Sequence, residues 1–399
     1  MVAWRPRCDF GLARGRFPIS AILAGVQDFP PSPDGYLDAV GGQPVLEAGR
    51  SASAVTQAEA WADPTRLHHL GRRAGILLDA ARSSVAASLS SIANEPIAAD
   101  EVHFAPSTAV AARAAVHGFR GGLVAGRVEN AMLLDLADGR PGSELIDVDE
   151  LGRVDVKSFA AALMGTGGML GCLQAANAEV GTTQPVAGVA DRTAPGDKHG
   201  LLVDAGQLIG RGPLPRGWTA LFASARDWAG PAGVAVLVVR RGVRWQAPDH
   251  GGRGWIGGFP DIPAAVSCAA ALEFVLPRAD AEADRARGFI DRIREAAAGV
   301  PDVEVLGDPV QRLPHIVTFS VLYTSGEAIV TEFDRRGFAV ASGSACVAES
   351  QRPSHVLAAM GAYTGGNVRV SLPFGCTEAT VDAFIRELPL VVAYVRDDL

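Results

Sequence analysis

Short apolar runs alternate with longer stretches of mixed character through the first two-thirds of the chain, a pattern that predicts strands alternating with helices. The runs that we predict to be strands are residues 102–105, 122–128, 144–148, 169–175, 201–204, 219–223 and 234–239. Residues 109–117 form an alanine-rich predicted helix, and residues 154–164 place Phe159 and Leu163 on one helical face. Because the strands are apolar at consecutive positions, we expect a mostly parallel sheet with helices on both faces.

The pattern changes after about residue 264, where helices dominate. The predicted elements there are helices 264–276 and 279–298, strand 315–321, helix 327–336, a short strand before the Cys346 loop, helix 354–360, strand 368–372 and helix 378–395. Pro389 is expected to kink or split the last helix, because proline lacks an N–H and its ring clashes with the preceding turn. We therefore predict an N-terminal extension with a proline-rich linker (1–33), a large α/β domain (34–263) and a small α+β domain (264–399) that carries a loop with Cys346.

Composition and charge argue against several classes of protein. With 48% hydrophobic and 20% charged residues, the 399-residue chain can bury a large core. Its net charge of −8 disfavours nucleic acid or an anionic membrane as the main partner. The five cysteines are scattered and form no C-x-x-C pair, which suits a reducing cytosol and leads us to assign no metal. We expect a cytoplasmic protein without a membrane span, since no run reaches about 18 apolar residues.

Polar motifs follow three of the predicted strands. They are residues 177–185 (NAEVGTTQP), 203–207 (VDAGQ) and 224–233 (SARDWAGPAG). In open α/β sheets, ligands bind at the carboxyl ends of the strands. Each motif alone is a weak signal, because an aspartate after an apolar strand is commonly a helix cap.

In this order and spacing the motifs resemble those of cysteine desulfurases, the NifS-like members of the class-V aminotransferase family, which have the fold type I of pyridoxal phosphate (PLP) dependent transferases. Family members read NNExGxxQP, VDAxQ and SxHKxxGPxG at these points. The resemblance extends to YLD at residues 36–38, RLPH at 312–315, SGSAC at 342–346 and VRVSL at 368–372. It implies a mostly parallel sheet flanked by helices, with a smaller α+β domain.

The resemblance also implies a role for each matched residue around PLP. Asp204 would pair with the protonated pyridine nitrogen, which makes the ring an electron sink. Gln207 and Asn177 would bond the phenolic oxygen of the cofactor, and Ser224 would bond its phosphate. Arg369 would clamp the carboxylate of an amino-acid substrate in a bidentate pair.

Several residues near the cofactor depart from the family pattern. Asp227 stands at the position of the lysine that holds PLP as a Schiff base, and a carboxylate cannot form an imine. Arg226 replaces the neighbouring histidine and could hold a phosphate. The other departures are Asn130 at the position of the histidine that stacks on the ring, Thr108 in the altered phosphate loop and Phe259 in place of a partner-subunit threonine. Together they indicate relaxed selection on the cofactor or a changed ligand.

Neither of the two lysines is expected to replace the missing one. Lys157 lies on an amphipathic helix, and Lys198 precedes a strand at the amino end of the sheet, away from the site. Beside Arg226, Asp227 is expected to form an ion pair that offsets repulsion by Asp204.

Three functional hypotheses follow. The first, which we favour, is a degenerate cysteine desulfurase homologue that forms no internal aldimine and acts as a binding, scaffold or regulatory subunit in sulfur or iron–sulfur metabolism. The second is an enzyme that uses PLP, or a preformed adduct of an amino acid with PLP, without a covalent link. The third is a relay that accepts a persulfide on Cys346. By resemblance the cofactor is PLP, held non-covalently if it binds at all. The implied partners are a second copy or an active paralogue in a dimer, and a sulfur-acceptor protein.

Overall fold

The computed structural model describes residues 28–93, 95–119, 121–165, 169–193, 199–246, 252–343 and 353–397. The first 27 residues, and with them most of the predicted N-terminal extension, lie outside this description, as do Cys346 and Lys198. The predicted division of the chain at residues 33 and 263 stays a prediction.

A seven-stranded sheet forms the centre of the larger part of the molecule. Its strands are β1 (Val102–Ala105), β2 (Leu123–Gly126), β3 (Glu144–Ile146), β4 (Leu170–Cys172), β5 (Gly200–Asp204), β6 (Ala220–Ser224) and β7 (Ala235–Val239). They are ordered β1-β7-β6-β5-β4-β2-β3, and the pairs from β6 to β3 are all parallel. The mostly parallel sheet is therefore confirmed.

Strand β7 runs antiparallel to both of its neighbours, β6 and β1. It follows β6 after a connection that contains only a short 3₁₀ turn, Ala225–Trp228. A parallel return needs a crossover of a dozen or more residues, usually a helix, so this short connection produces an antiparallel neighbour.

Helices cover both faces of the sheet. They are α1 (Glu47–Glu59), α2 (His69–Ala93), α3 (Thr108–Gly118), α4 (Ala131–Asp138), α5 (Val156–Leu163), α6 (Val186–Thr193) and α7 (Ile262–Val275). Alternate strand residues point to opposite faces, so Leu221 packs with α2 and α7 while Phe222 packs with α3. Two stretches, His69–Ala93 and Ile262–Ala298, are long and apolar enough to cross a membrane by length and composition alone, but the apolar side of α7 is buried in this core.

The smaller part has an antiparallel three-stranded sheet, as the predicted α+β character requires. Its strands are β8 (Val303–Leu306), β9 (Ile316–Val321) and β10 (Asn367–Ser371), in the order β10-β9-β8, and its helices are α8 (Ala279–Ala298), α9 (Gly326–Arg335), α10 (His355–Ala359) and α11 (Glu378–Asp397). Leu37 joins this core, and Tyr36 and Asp38 bridge to Ala339 and Ser371. The N-terminal part of the described chain thus completes the smaller unit.

Helix α11 continues through Pro389, so of the two predicted outcomes, a kink or a split, the split is wrong. Pro389 is exposed, and the carbonyl group that loses its helical donor can therefore be hydrated. On the opposite side of the helix, buried residues such as Leu388 and Val391 keep the two halves packed on one core.

Candidate active site at the carboxyl ends of the central strands

A cavity of about 820 Å³ lies where the large sheet meets the smaller unit. The residues that the sequence predicted for the site and that line this cavity are Thr108, Asn130, Asn177, Asp204, Gln207, Ser224, Arg226, Asp227 and Arg369. Cys346 lies outside the described residues, although Gly343 and Pro353, the described residues on either side of it, line the same cavity. The structure thus brings the predicted residues together, while their roles in binding stay predictions.

Two carboxylates lie side by side at the inner end of the cavity. Asp204 ends β5, and its Oδ1 accepts a hydrogen bond from the backbone N–H of Gly206 at 2.9 Å. A Cβ atom built on Gly206 would lie 2.9 Å from Oδ1 of Asp204 and 3.2 Å from Oδ2 of Asp227. Both acids therefore border the same small space, and glycine leaves that space open.

Asp227 is fixed in place by the turn that contains it. Ser224 caps the 3₁₀ turn, and the backbone N–H of Ser224 donates to Oδ2 of Asp227 at 3.1 Å. Nε2 of Gln207 donates to Oδ1 of Asp227 at 2.8 Å. Both carboxylate oxygens are thus engaged, and each keeps a lone pair for a further donor.

Burial and mutual repulsion perturb both acids. Burial raises the pKa of Asp204 to about 6. Burial, followed by the negative charge of Asp204, raises the pKa of Asp227 to about 7. Two neighbouring carboxylates repel each other when both are ionised. The pair of Asp204 and Asp227 therefore holds a proton through much of the range between pH 5 and 7.

The ion pair that the sequence predicted between Arg226 and Asp227 does not form. The exposed guanidinium of Arg226 donates instead to the backbone carbonyl of Gly41. Successive residues in a 3₁₀ turn point in directions about 120° apart, so neighbours in sequence do not face each other. The positive charge of Arg226 still lowers the pKa of Asp227, but it acts against the larger effect of burial.

Gln207 links Asp227 to a buried histidine. The backbone of Gln207 has φ of 62°, a left-handed conformation that is uncommon for residues other than glycine. Its Oε1 lies 3.3 Å from Nε2 of His315, whose Nδ1 has no hydrogen-bond partner. Burial, followed by the charges of Arg211 and Arg369, holds the pKa of His315 well below its usual value, so the ring is neutral. The sequence matched His315 only as part of the RLPH motif.

Two glutamates of the cavity wall were missed by sequence reasoning. Glu129 is fully buried; its Oε1 accepts from the N–H of Gln174 at 2.6 Å, and its Oε2 has no partner. Oε2 of Glu179 accepts from Ser354 at 2.8 Å, and its Oε1 has no partner. Burial raises the pKa of both carboxyl groups. Glu179 stands inside the motif at residues 177–185, which could have indicated it, although no role was assigned to it. No motif contained Glu129, and glutamate is seldom buried.

Arg369 reaches the cavity from β10 in the smaller unit. Its Nη2 donates to Oδ1 of Asp38 at 2.9 Å, and its buried Nε has no partner. The side chain is 6% exposed, so Asp38 and the cavity are its main surroundings. The predicted clamp on a substrate carboxylate stays a prediction.

The remaining predicted cofactor contacts hold local structure. Oδ1 of Asn177 accepts from the N–H groups of Glu179 and Val180, and its Nδ2 donates to the carbonyl of Val128. Asn130 caps α4, and Oγ of Ser224 accepts from the N–H of Arg226 at 3.2 Å. Thr108 is the first residue of α3, whose N-terminal N–H groups favour an anion such as phosphate.

Comparison with known proteins places this arrangement in a family. The cysteine desulfurase of Cereibacter sphaeroides is 34% identical over 356 residues, which cover 85% of this chain and 90% of the relative. The cysteine desulfurase NifS of Azotobacter vinelandii is 31% identical over 356 residues, with coverage of 85% and 88%. A family model for class-V aminotransferases matches residues 43–384. The chain belongs to the cysteine desulfurase family of class-V aminotransferases.

Solved structures of the family share the fold. A NifS-like protein from Rickettsia africae aligns with a TM-score of 0.80 and 20% identity, over 90% of this chain and all of that protein. Another NifS-like protein aligns with a TM-score of 0.79 and 23% identity, over 91% of this chain and all of that protein. The PLP-dependent fold type I is therefore confirmed.

The cofactor of the cysteine desulfurase family is PLP, and the cavity suits only part of it. Asp204 suits a protonated pyridine nitrogen, while Arg226 and the start of α3 suit a phosphate. None of the described residues that line the cavity is a lysine, and Lys157 is exposed on α5. The described lining of the cavity thus suits the ring and the phosphate, and none of those residues offers an amine for an aldehyde. Within the described ranges, no three histidine, cysteine or acidic side chains are grouped so as to hold a metal ion.

Proposed function

We propose that this protein is a degenerate cysteine desulfurase homologue that holds a phosphorylated ligand without a covalent bond. It acts as a binding, scaffold or regulatory subunit in sulfur or iron–sulfur metabolism. The observation that carries the proposal is Asp227, which we place at the position of the family's Schiff-base lysine. A carboxylate cannot take an aldehyde as an imine, and it cannot supply the amine that also shuttles protons.

The rest of the cavity supports binding rather than loss of the site. Asp204, Gln207 and Arg369 are all present and held by defined partners. A collapsed site would have filled its 820 Å³ with larger apolar side chains, whereas this one keeps polar walls with unpaired buried groups such as Oε2 of Glu129. Polar walls around an open cavity suit a polar ligand, whereas a packed core would leave no room for one.

One observation favours a second candidate, an enzyme that works on non-covalently held PLP. The pKa of Asp227 is raised to about 7, so its carboxyl group can both give and take a proton near neutral pH. General acid–base groups work best at such values and contribute about 10²–10⁴-fold to a rate.

We also propose a cytoplasmic dimer, with a second copy or with an active paralogue. Exposed apolar side chains support a contact with another chain, among them Trp61 and Leu67 in the loop between α1 and α2, and Phe259. Light scattering of the purified protein, alone and with an active family member, tests this. A monomer under both conditions would contradict it.

Borohydride trapping tests the proposed function. The protein is incubated with PLP, reduced and analysed by intact mass, and alanine and sulfide are assayed with cysteine as substrate. We expect no pyridoxyl adduct and no product above a buffer control. An adduct on Lys157 or Lys198 would overturn the proposal, whereas turnover without an adduct would select the second candidate.

A further inference from the structure

We propose that the ligand of this cavity is the amine form of the cofactor, pyridoxamine 5′-phosphate or a close analogue, and that Asp227 accepts its protonated aminomethyl group. The inference rests on the proposed function, because it requires a ligand held without a covalent bond. In the family pattern the protein supplies an amine and the ligand supplies an aldehyde. In this proposal the protein supplies an acid, Asp227, and the ligand supplies the amine.

Charge at the inner end of the cavity is the first argument. Asp204 and Asp227 border the same space beside Gly206, and the guanidinium of Arg226 is engaged with the carbonyl of Gly41 rather than with either acid. An aldehyde ligand would bring one cation, its pyridine nitrogen, to two acids. An aminomethyl ligand brings two cations, so each carboxylate gains a partner and the cost of burying the pair falls.

Reach is the second argument. Aspartate ends two bonds short of the point at which a lysine amine would end. A nitrogen carried by the ligand occupies the missing length, and a charge-assisted N–H···O contact needs a separation of about 2.7–2.9 Å.

Preorganisation is the third argument. The N–H of Ser224 and Nε2 of Gln207 fix the two oxygens of Asp227 before any ligand arrives. Binding therefore costs little reordering of this side chain. The amide of Gln207 is itself held between two groups, since its Oε1 lies 3.3 Å from Nε2 of His315 while its Nε2 donates to Asp227.

The two remaining parts of such a ligand also meet suitable groups. A phosphate suits the start of α3 at Thr108 and the exposed Arg226. A pyridine nitrogen that stays protonated suits Asp204, the acid at the end of β5.

Calorimetric titration with two phosphorylated probes tests the inference. Pyridoxamine 5′-phosphate carries an ammonium group where pyridoxine 5′-phosphate carries a hydroxyl group, and the two are otherwise alike. At pH 7.5 we expect the wild-type protein to bind the amine about tenfold or more tightly than the alcohol, the size of a charge-assisted hydrogen bond. Asp227→Asn should reduce this preference to near unity.

Two control variants separate Asp227 from general charge effects. Asp204→Asn should weaken both probes in parallel and leave the preference for the amine largely intact. Asp138→Asn removes an exposed carboxylate of α4 that does not line the cavity, and it should leave both affinities unchanged.

Asp227→Asn is expected to fold. The amide of Gln207 can flip to present its oxygen to the new side-chain NH₂ group, and His315 can switch tautomer because its Nδ1 is without a partner. Circular dichroism and thermal unfolding check this before titration.

Equal affinity for the two probes in the wild-type protein would overturn the inference, as would no binding of either probe or a preference that survives in Asp227→Asn. None of these results bears on covalent capture of PLP or on desulfurase turnover. The inference and the proposed function therefore fail by different measurements.

Discussion

Nε2 of Gln207 donates to Oδ1 of Asp227 at 2.8 Å, and Oε1 of the same amide lies 3.3 Å from Nε2 of His315. This chain of contacts joins the turn after β6 to the residue that precedes β9 in the smaller unit. The protonation state of Asp227 is thereby coupled to the orientation of the Gln207 amide and to the tautomer of the buried His315.

Asp227→Lys is expected to create a covalent PLP site. The introduced amine would lie in a cavity that suits the ring and the phosphate, so reduction with borohydride should leave a pyridoxyl adduct on the introduced lysine. The variant should lose about 1–2 kcal/mol of stability, because the N–H of Ser224 and Nε2 of Gln207 lose their acceptor.

Intact mass and peptide mapping measure that adduct, and Asp138→Lys is the control for a lysine on an exposed helix face. Failure of Asp227→Lys to form more adduct than Asp138→Lys would show that residue 227 is not at the lysine position of the family.

The stability of the wild-type protein relative to Asp227→Asn should fall as the pH rises. The pKa of Asp227 is about 7 in the folded protein and near 3.8 when unfolded, so between these values the folded state binds more protons. The proton on Asp227 therefore contributes its full stabilisation of the folded state below pH 4. This stabilisation falls by on the order of 1 kcal/mol per pH unit as the pH rises, and it is lost once the pH has passed 7.

Urea unfolding of both proteins at pH 5.5, 6.5 and 7.5 measures this difference. The comparison with Asp227→Asn cancels the titration of groups outside the pair of Asp204 and Asp227. A difference between the two proteins that stays constant over this range would contradict the raised pKa of Asp227.

Gly206→Ala should weaken binding of pyridoxamine 5′-phosphate by about tenfold or more. A methyl group there would lie 2.9 Å from Oδ1 of Asp204 and 3.2 Å from Oδ2 of Asp227, which is closer than ordinary contact and would push the acids apart. Gly288→Ala is the matched control, since nothing lies within 4 Å of its added carbon and alanine favours the helix by about 0.5–1 kcal/mol. Titration that shows equal affinity in the wild-type protein and Gly206→Ala would count against a shared space between the acids.

Arg369→Gln should destabilise the protein by about 1–3 kcal/mol, because it leaves Asp38 without its cation. Asp38 is 26% exposed, which keeps the loss below that of a fully buried pair. Arg386→Gln, at an exposed position on α11, is the control. Denaturant unfolding is the measurement, and equal stability of the two variants would show that the pair with Asp38 adds little.

Much of the fold followed from local patterns. Apolar runs and their order predicted the strands of the parallel sheet, because burial on both faces requires consecutive apolar residues. The two long helices α7 and α8 were also predicted, although α8 is rich in charged residues. Helices α1, α2, α4 and α6 were not assigned. Small residues and serines make up much of α1 and α2, so the hydropathy of the buried face differs little from that of the exposed face. The helical period is therefore hard to recognise in the sequence.

The sequence by itself determined which residues gather at the site, since motifs that end neighbouring strands must meet at one edge of the sheet. It also determined that Asp227 cannot form an imine, which is a property of the side chain alone. Only the tertiary structure decided that Asp227 pairs with Gln207 rather than with Arg226, and that Glu129 and Glu179 face the cavity. Those choices depend on side-chain direction and on burial by residues distant in the chain, and neither can be read from spacing along the sequence.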